Sequence, residues 1–199
     1  MTWFEYLLEQ PFVYNLSQIP FTRQKFARIL AHNDIAKVRR VLDVGCGPGT
    51  NAPRFQNAQY LGIDINERYI EIARRRFRRD FLTADVTQYQ LQPGQAFDFV
   101  LLNSFLHHIE TPAVQRILSQ ISTLLSSDGF VHSIELVLPE RRGLPYVFAK
   151  RDRGNFPRPL DEWRSLFTEH FRTAIFEPFS IVHFGLPVMD LVYFKGHTR

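Results

Sequence analysis

Cysteine is almost missing from this chain: Cys46 stands alone in 199 residues, which excludes an internal disulfide and any Cys-x-x-Cys metal site. No apolar run approaches the roughly 20 residues needed to span a bilayer. The opening MTWFEYLLEQPFVYNL lacks the basic start and unbroken apolar block of a secretory signal, so the cytoplasm is the expected location. Internal repeats and low-complexity linkers are absent. Strong charge is absent as well, since a net +4 and a pI near 9.4 are mild for a protein that grips nucleic acid.

A hydrophobic content of 45% over 199 residues is enough for one domain with a substantial core and too little for two comfortable ones. We expect a single domain, 1–199: an N-terminal helical part, 1–40, a central ligand-binding core, 41–138, and a capping segment with C-terminal strands, 139–199. The positive charge is uneven. One cluster runs from Ala73 to Arg79 (ARRRFRR), and another lies between Arg141 and Arg158. Ile70, Ala73 and Phe77 recur at helical spacing, which makes the first cluster the solvated side of an amphipathic helix.

Strand-like and helix-like patterns alternate along the chain. Thr22 to Arg40 reads as a helix, with Thr22 as N-cap and Phe26, Ile29 and Leu30 turned to a core. Strands are expected at Val41–Val44, Tyr60–Ile63, Phe81–Ala84, Phe97–Leu102 and Gly129–Leu138. Helices are expected from an Asn66 cap to about Phe77, from Pro112 to Leu125 and from Leu160 to Phe171. Two further runs, Thr173–Ile181 and Pro187–Phe194, suit an antiparallel pair at the sheet edge. The alternation implies an α/β fold, a Rossmann-like sheet, mostly parallel, with an antiparallel edge and helices on both faces.

The stretch VLDVGCGPGT, 41–50, turns a buried strand into a glycine loop. In an open α/β sheet that place is where ligands sit. A nicotinamide dinucleotide asks for glycines at the first, third and sixth places, which here are Gly45, Gly47 and Thr50. Pro48 removes a backbone donor and Asp43 puts a negative charge just before the loop. A pyrophosphate is poorly served; a nucleoside ligand carrying an ammonium group is served better. Cys46, inside the loop, reads as a small packing residue.

Four stretches together resemble the class I S-adenosylmethionine-dependent methyltransferases, of the bacterial small-molecule type: VLDVGCGPGT at 41–50, YLGIDIN at 60–66, FLTADV at 81–86, and FDFVLLNSFLHHIE at 97–110 followed by SSDGF at 126–130. They cover about half of the chain in the family's order. The resemblance implies a seven-stranded sheet and S-adenosyl-L-methionine as cofactor. It implies that the loop Gly45, Cys46, Gly47 and Gly49 approaches the methionine portion, with Asp43 nearby. Asp64 would meet the ribose hydroxyls and Asp85 the adenine amino group, with Ile65 and Val86 against the ring. Asn103, Ser104 and Phe105 would line the sulfonium side. Asp64 or Asp85 alone suits a turn or a helix cap, but three acidic residues at the carboxyl ends of successive strands suit one shared ligand.

Methyl transfer asks the protein to align a nucleophile, exclude water and, where needed, take a proton. His107 and His108, just past the fourth strand, are the candidate catalytic residues, and a structural hydrogen bond is the blander role for each. The Asn- or Asp-Pro-Pro-Tyr motif that similar exocyclic-amine enzymes carry is missing, because Asn103-Ser104-Phe105-Leu106 stands in its place. Clustered acidic ligands for a magnesium-assisted reaction do not stand out, and no metal site is expected.

Two segments suit an acceptor pocket: the N-terminal one with Trp3, Phe4, Tyr6, Leu7, Phe12 and Tyr14, and residues 143–163. The second holds Lys150, Arg151, Arg153 and Arg158 beside Asp152, a further candidate base, and suits a small, anionic acceptor at an O or N nucleophile. Pairing of these arginines with Glu140, Asp161 and Glu162 is the alternative. A peripheral membrane enzyme acting on a lipid headgroup, which implies weak membrane-surface contact, and a non-catalytic cofactor-binding partner subunit are the other readings. Nucleic acid ranks lower as a partner, because no RNA-binding module is recognisable.

Overall fold

The computed structural model describes residues 11–199 apart from Pro93 and Arg153, with side chains from Phe21 onward. Trp3, Phe4, Tyr6 and Leu7, and the side chains of Phe12 and Tyr14, therefore lie outside the described residues. The chain divides into two units, residues 1–33 and 34–199.

In the first unit, helix α1 spans Pro11–Ala31. It starts earlier and ends earlier than the expected Thr22–Arg40. At the stop, the Ile29 carbonyl accepts both the His32 N–H at 3.3 Å, a tightened last turn, and the Asn33 side-chain amide at 2.7 Å, which takes the place of the next helical N–H. Phe26 and Ile29 are buried as expected, but Leu30 is 51% exposed.

The second unit opens with a short 3-10 turn, Ile35–Lys37, whose first N–H groups are capped by Asp34. Seven strands follow: β1 (Arg40–Val44), β2 (Gln59–Asp64), β3 (Asp80–Thr83), β4 (Phe97–Asn103), β5 (Leu125–Leu136), β6 (Phe171–His183) and β7 (Leu186–Thr198). They form one sheet in the order β3-β2-β1-β4-β5-β7-β6. The first five pair in parallel, while β7 is antiparallel to both of its neighbours. This is the expected mixed Rossmann-like sheet, and the strand that runs against the rest lies one place in from the edge.

Four helices connect the strands: α2 (Glu67–Arg76), α3 (Thr111–Leu124), α4 (Leu144–Arg151) and α5 (Leu160–His170). Asn66 caps α2 by accepting from the Tyr69 N–H at 3.3 Å. Val114, Ile117, Leu118, Ile121 and Leu124 recur at three and four residues along α3 and are all buried. Strand alternation sorts the core into two faces. Leu42 and Val44, Val100 and Leu102, and Val192 and Phe194 belong to one cluster with α3 and α5. Their neighbours Phe99, His132 and Tyr193 belong to a separate aromatic set, where the His132 ring stacks on Phe99 at 3.9 Å and meets the Tyr193 hydroxyl at 3.0 Å. His132 is thus a core residue, and burial pulls its pKa well down.

The arginine run is the wet helix face expected of it, with Arg74, Arg75, Arg76 and Arg78 exposed, and two of its guanidiniums also reach backbone oxygens. Arg74 donates to the Phe81 carbonyl at 2.6 Å, and Arg79 donates to the carbonyls of Phe55, Gln56 and Ala58. Arg79 thereby ties down the loop before β2, and Arg75 lies 3.5 Å from Glu71 on the same exposed face.

Candidate functional site

The carboxyl ends of β1, β2 and β4 meet at the glycine loop. Gly45, Gly47 and Gly49 all have positive φ (+66°, +53° and +78°), which side-chain-bearing residues rarely adopt. A Cβ on Gly45 would stand 2.7 Å from the Phe105 ring, whereas one on Gly47 would meet nothing within 4 Å. Phe105 therefore closes one side of the loop and Gly47 faces open space. Cys46 is buried, and burial together with the nearby Asp43 and Asp64 carboxylates pushes its thiol far up, which suits the packing role expected of it.

Asp43 is fully buried. Its Oδ2 accepts from the Tyr60 hydroxyl at 2.6 Å and from the Asn51 amide at 3.2 Å, and Asn103 donates onward to Asn51 at 3.3 Å. Its Oδ1 has no hydrogen-bond partner. Burial raises the Asp43 pKa to about 6, against the pull of Tyr60 and Asn51 in the other direction. An unpartnered buried carboxylate oxygen beneath a loop with open space fits a ligand that brings a cationic donor.

Asp64 organises the rim. Its Oδ2 accepts from the Gly47 N–H at 2.9 Å and its Oδ1 from the Asn66 N–H at 2.8 Å. Ile65 beside it is 78% exposed, an apolar surface next to the loop. Asp85 follows β3 and is tied to this rim through Ala84, whose N–H donates to the Asp64 carbonyl at 3.1 Å. Its carboxylate caps its own turn, accepting from the Thr87 N–H and hydroxyl. Val86 is packed in the core. Ser104 has φ +58°, a strained value for serine, at the end of β4.

Past Ser104 the chain makes a 3-10 turn, Leu106–His108, and the fold brings distant residues to it. Glu135, in β5 and fully buried, accepts from the backbone N–H groups of Phe105, Leu106 and His107 at 3.2–3.4 Å. The same carboxylate lies 2.7 Å from His107 Nδ1. The other ring nitrogen, Nε2, lies 3.4 Å from Asp152 Oδ1. Burial pulls the His107 pKa down, but hydrogen bonds to Asp152 and Glu135 and their charges outweigh it and raise it to about 9. Burial raises the Asp152 pKa in turn, yet His107 and the Gly154 N–H take it down to about 2. The exposed His108 ring packs at 4.3 Å from that of His107. One ligating atom from each of His107, His108 and Asp152 lies within 4.8 Å of the others.

Arg158 corrects the expectation of an arginine offered to an acceptor. It is 3% exposed and donates to the carbonyls of Leu106, Phe156 and Ile109, pairs with Glu162 at 3.0 Å and lies over the Trp163 ring at 4.9 Å. It braces the His107 turn from behind. Lys150 and Arg151, on α4, are exposed. Arg153 lies outside the described residues.

Glu135 was missed in the sequence although a signal existed: a lone acid inside the apolar strand run SIELVL, where a charge is stable only if it is paired. Tyr60 and Asn51, which hold Asp43, carried no such mark.

Residues 41–129 match the family model described as a methyltransferase domain. A trans-aconitate 2-methyltransferase of Paracidovorax citrulli is 34% identical over 86 residues, 41% of this chain and 33% of that protein. An uncharacterized methyltransferase of Mycobacterium bovis is 35% identical over 129 residues, 62% of this chain and 64% of that protein. The chain thus spans from a third to just under two thirds of the length of these curated relatives. Among solved structures, the N-methyltransferase NodS of Bradyrhizobium japonicum, in complex with S-adenosyl-L-homocysteine, superposes with a TM-score of 0.72 at 15% identity over 98% of this chain and 95% of that one.

Proposed function

We propose, from the match of residues 41–129 to the methyltransferase domain model, that this chain binds S-adenosylmethionine and methylates an O or N nucleophile of a small, anionic acceptor. The observation that carries the reading is the buried His107, gripped by Glu135 at 2.7 Å and turned with Nε2 toward Asp152, two residues past the Phe105 whose ring packs against Gly45 of the glycine loop. A histidine fixed at one nitrogen by a buried carboxylate is pre-oriented at the other.

When bound, S-adenosylmethionine supplies a methyl carbon already activated by its sulfonium. Gly45, Gly47 and Gly49 would form its cradle, and Asp43 Oδ1 would accept from its ammonium group, directly or through water. Asp64 would hold the ribose and Ile65 and Asp85 the base, while Asn103, Ser104 and Phe105 would close the methyl side. His107 and Asp152 hold the acceptor in line through hydrogen bonds, and the exposed His108 takes the acceptor's proton where the nucleophile carries one. Lys150 and Arg151 supply positive charge near the mouth. An anionic acceptor is further supported by the name of the Paracidovorax relative, since trans-aconitate is a tricarboxylate.

The experiment is a calorimetric titration with S-adenosylmethionine and its demethylated product, followed by an assay of S-adenosyl-L-homocysteine release with small di- and tricarboxylic acids. Asp64→Ala is expected to weaken cofactor binding by at least about tenfold, ~1.4 kcal/mol. Release that depends on an added acid and is lost in His108→Ala supports the acceptor side. Release with neutral acceptors alone contradicts the anionic part.

A further inference from the structure

We propose that His107, His108 and Asp152, with Glu135 behind them, bind one divalent cation of the zinc class. The trio is the proposed acceptor side, so this deepens that reading: with a cation bound, the open coordination position and its water take over the acceptor-holding and proton-taking roles given above to the three side chains; metal binding is measured without methyl transfer, and either can fail alone.

Four observations point to it. His107, His108 and Asp152 each bring one ligating atom within 4.8 Å of the others. Glu135 lies 2.7 Å from His107 Nδ1 and is itself held by three backbone N–H groups. A carboxylate on the far nitrogen, fixing ring and tautomer, is the support that metal-ligating histidines use. The Nε2 to Asp152 Oδ1 separation of 3.4 Å is at the long end for a hydrogen bond. It equals the edge of a coordination tetrahedron with metal–ligand bonds of about 2.1 Å, which is about 3.4 Å. Finally, Asp152 is braced by the Gly154 N–H at 2.8 Å, and a side chain at Gly154 would strike His107 Cδ2 at 2.5 Å. The glycine lets the aspartate close on the ring.

The charge balance agrees. Two carboxylates, one fully buried and one half-buried, converge on one imidazole. A cation taking the Nε2 lone pair releases the Nε2 proton to solvent, leaves the Nδ1 proton with Glu135, and changes no oxidation state. Two imidazoles and one carboxylate suit zinc, cobalt or nickel better than magnesium or calcium. Three protein ligands leave a fourth position for water or an acceptor oxygen, the pattern of catalytic zinc sites.

The test uses chelator-treated protein in equilibrium dialysis against Zn2+ and, separately, Mg2+, with the visible spectrum of the Co2+-loaded protein as a geometric readout. One Zn2+ per chain is expected, with Mg2+ far weaker and a tetrahedral Co2+ spectrum. Asp152→Asn and His108→Ala are each expected to weaken Zn2+ at least about tenfold, and Glu135→Gln by about 10- to 100-fold. His183→Ala, in β6, serves as the control for stray histidine binding and leaves the affinity unchanged. Circular dichroism checks that each variant is folded; if Glu135→Gln is not, Asp152→Asn and His108→Ala decide. No stoichiometric Zn2+, or retention undiminished in both of those variants, overturns the proposal. Zn2+ binding without any acid-dependent release would keep the site and remove only the reading of the acceptor.

Discussion

Lowering the pH from 7 to 5 is expected to move cofactor affinity and apo stability in opposite directions through one group, Asp43. Its pKa stands at about 6 in the fold against 3.8 ordinarily, because it is fully buried, with Tyr60 and Asn51 offsetting only part of the burial cost. The folded chain therefore holds the proton more readily than the unfolded one. Stability from this group rises as pH falls through 6 toward 4, and above pH 6 the buried charge costs on the order of 3 kcal/mol, from about two pH units at ~1.4 kcal/mol each. A ligand ammonium reverses the preference, because it favours the ionised carboxylate whose Oδ1 is without a partner. If only the ionised form binds, the populations at pH 7 and pH 5 around a pKa of about 6 give roughly tenfold weaker binding at pH 5, ~1.4 kcal/mol. The ligand's own α-amino group, with a pKa near 8, stays protonated throughout that window. The assay is calorimetric titration with S-adenosylmethionine at half-unit pH steps beside thermal melts of the apo protein, on wild type and Asp43→Asn. An affinity that is flat between pH 5 and 7, or that slopes equally in Asp43→Asn, refutes the reasoning.

Three further substitutions test the surrounding structure. Gly45→Ala places a methyl 2.7 Å from the Phe105 ring at φ +66°, and is expected to cost about 1–3 kcal/mol in a thermal melt and at least about tenfold in cofactor affinity. Arg158→Ala strips three carbonyls and Glu162 of their donor, and a loss on the order of 3 kcal/mol is expected, lowering Tm by about 6–12 °C. Gly154→Ala pushes on His107 at Cδ2 and at its carbonyl oxygen, so turnover should fall while cofactor affinity, titrated separately, holds. An unchanged kcat would detach that turn from the reaction.

What was legible in the sequence was what depends on local pattern. Aliphatic runs gave β1 to β5, and the positive-φ glycines of VLDVGCGPGT marked the ligand end of the sheet. Asn66 announced the α2 cap. What depends on long-range pairing was not legible. Nothing near Asp152 says that the fold carries it to His107, and nothing near Arg158 says that its charge is spent on the carbonyls of Leu106 and Ile109. Helix α1 was misplaced at its end instead: it closes in a tightened last turn with the Asn33 amide on the Ile29 carbonyl, where apolar spacing would let it run on. Glu135 lies between these cases, since an acid amid Ile134 and Leu136 announces a buried partner without naming it.

The position of β7 bears on how the chain comes off the ribosome. β7 is hydrogen-bonded to β5 on one side and β6 on the other, yet it is the last strand in chain order among the described residues. β6 is synthesised first and has no place in the sheet until residues 186–198 emerge, and β5 keeps a bare hydrogen-bonding edge over the same interval. Nascent chains halted before Leu186 would hence lack two strands of the sheet rather than one, and would present an open edge bordered by Ile134 and Leu136 to any strand nearby. Completion of this sheet is a single late step, in which an inner strand and an outer strand lock together.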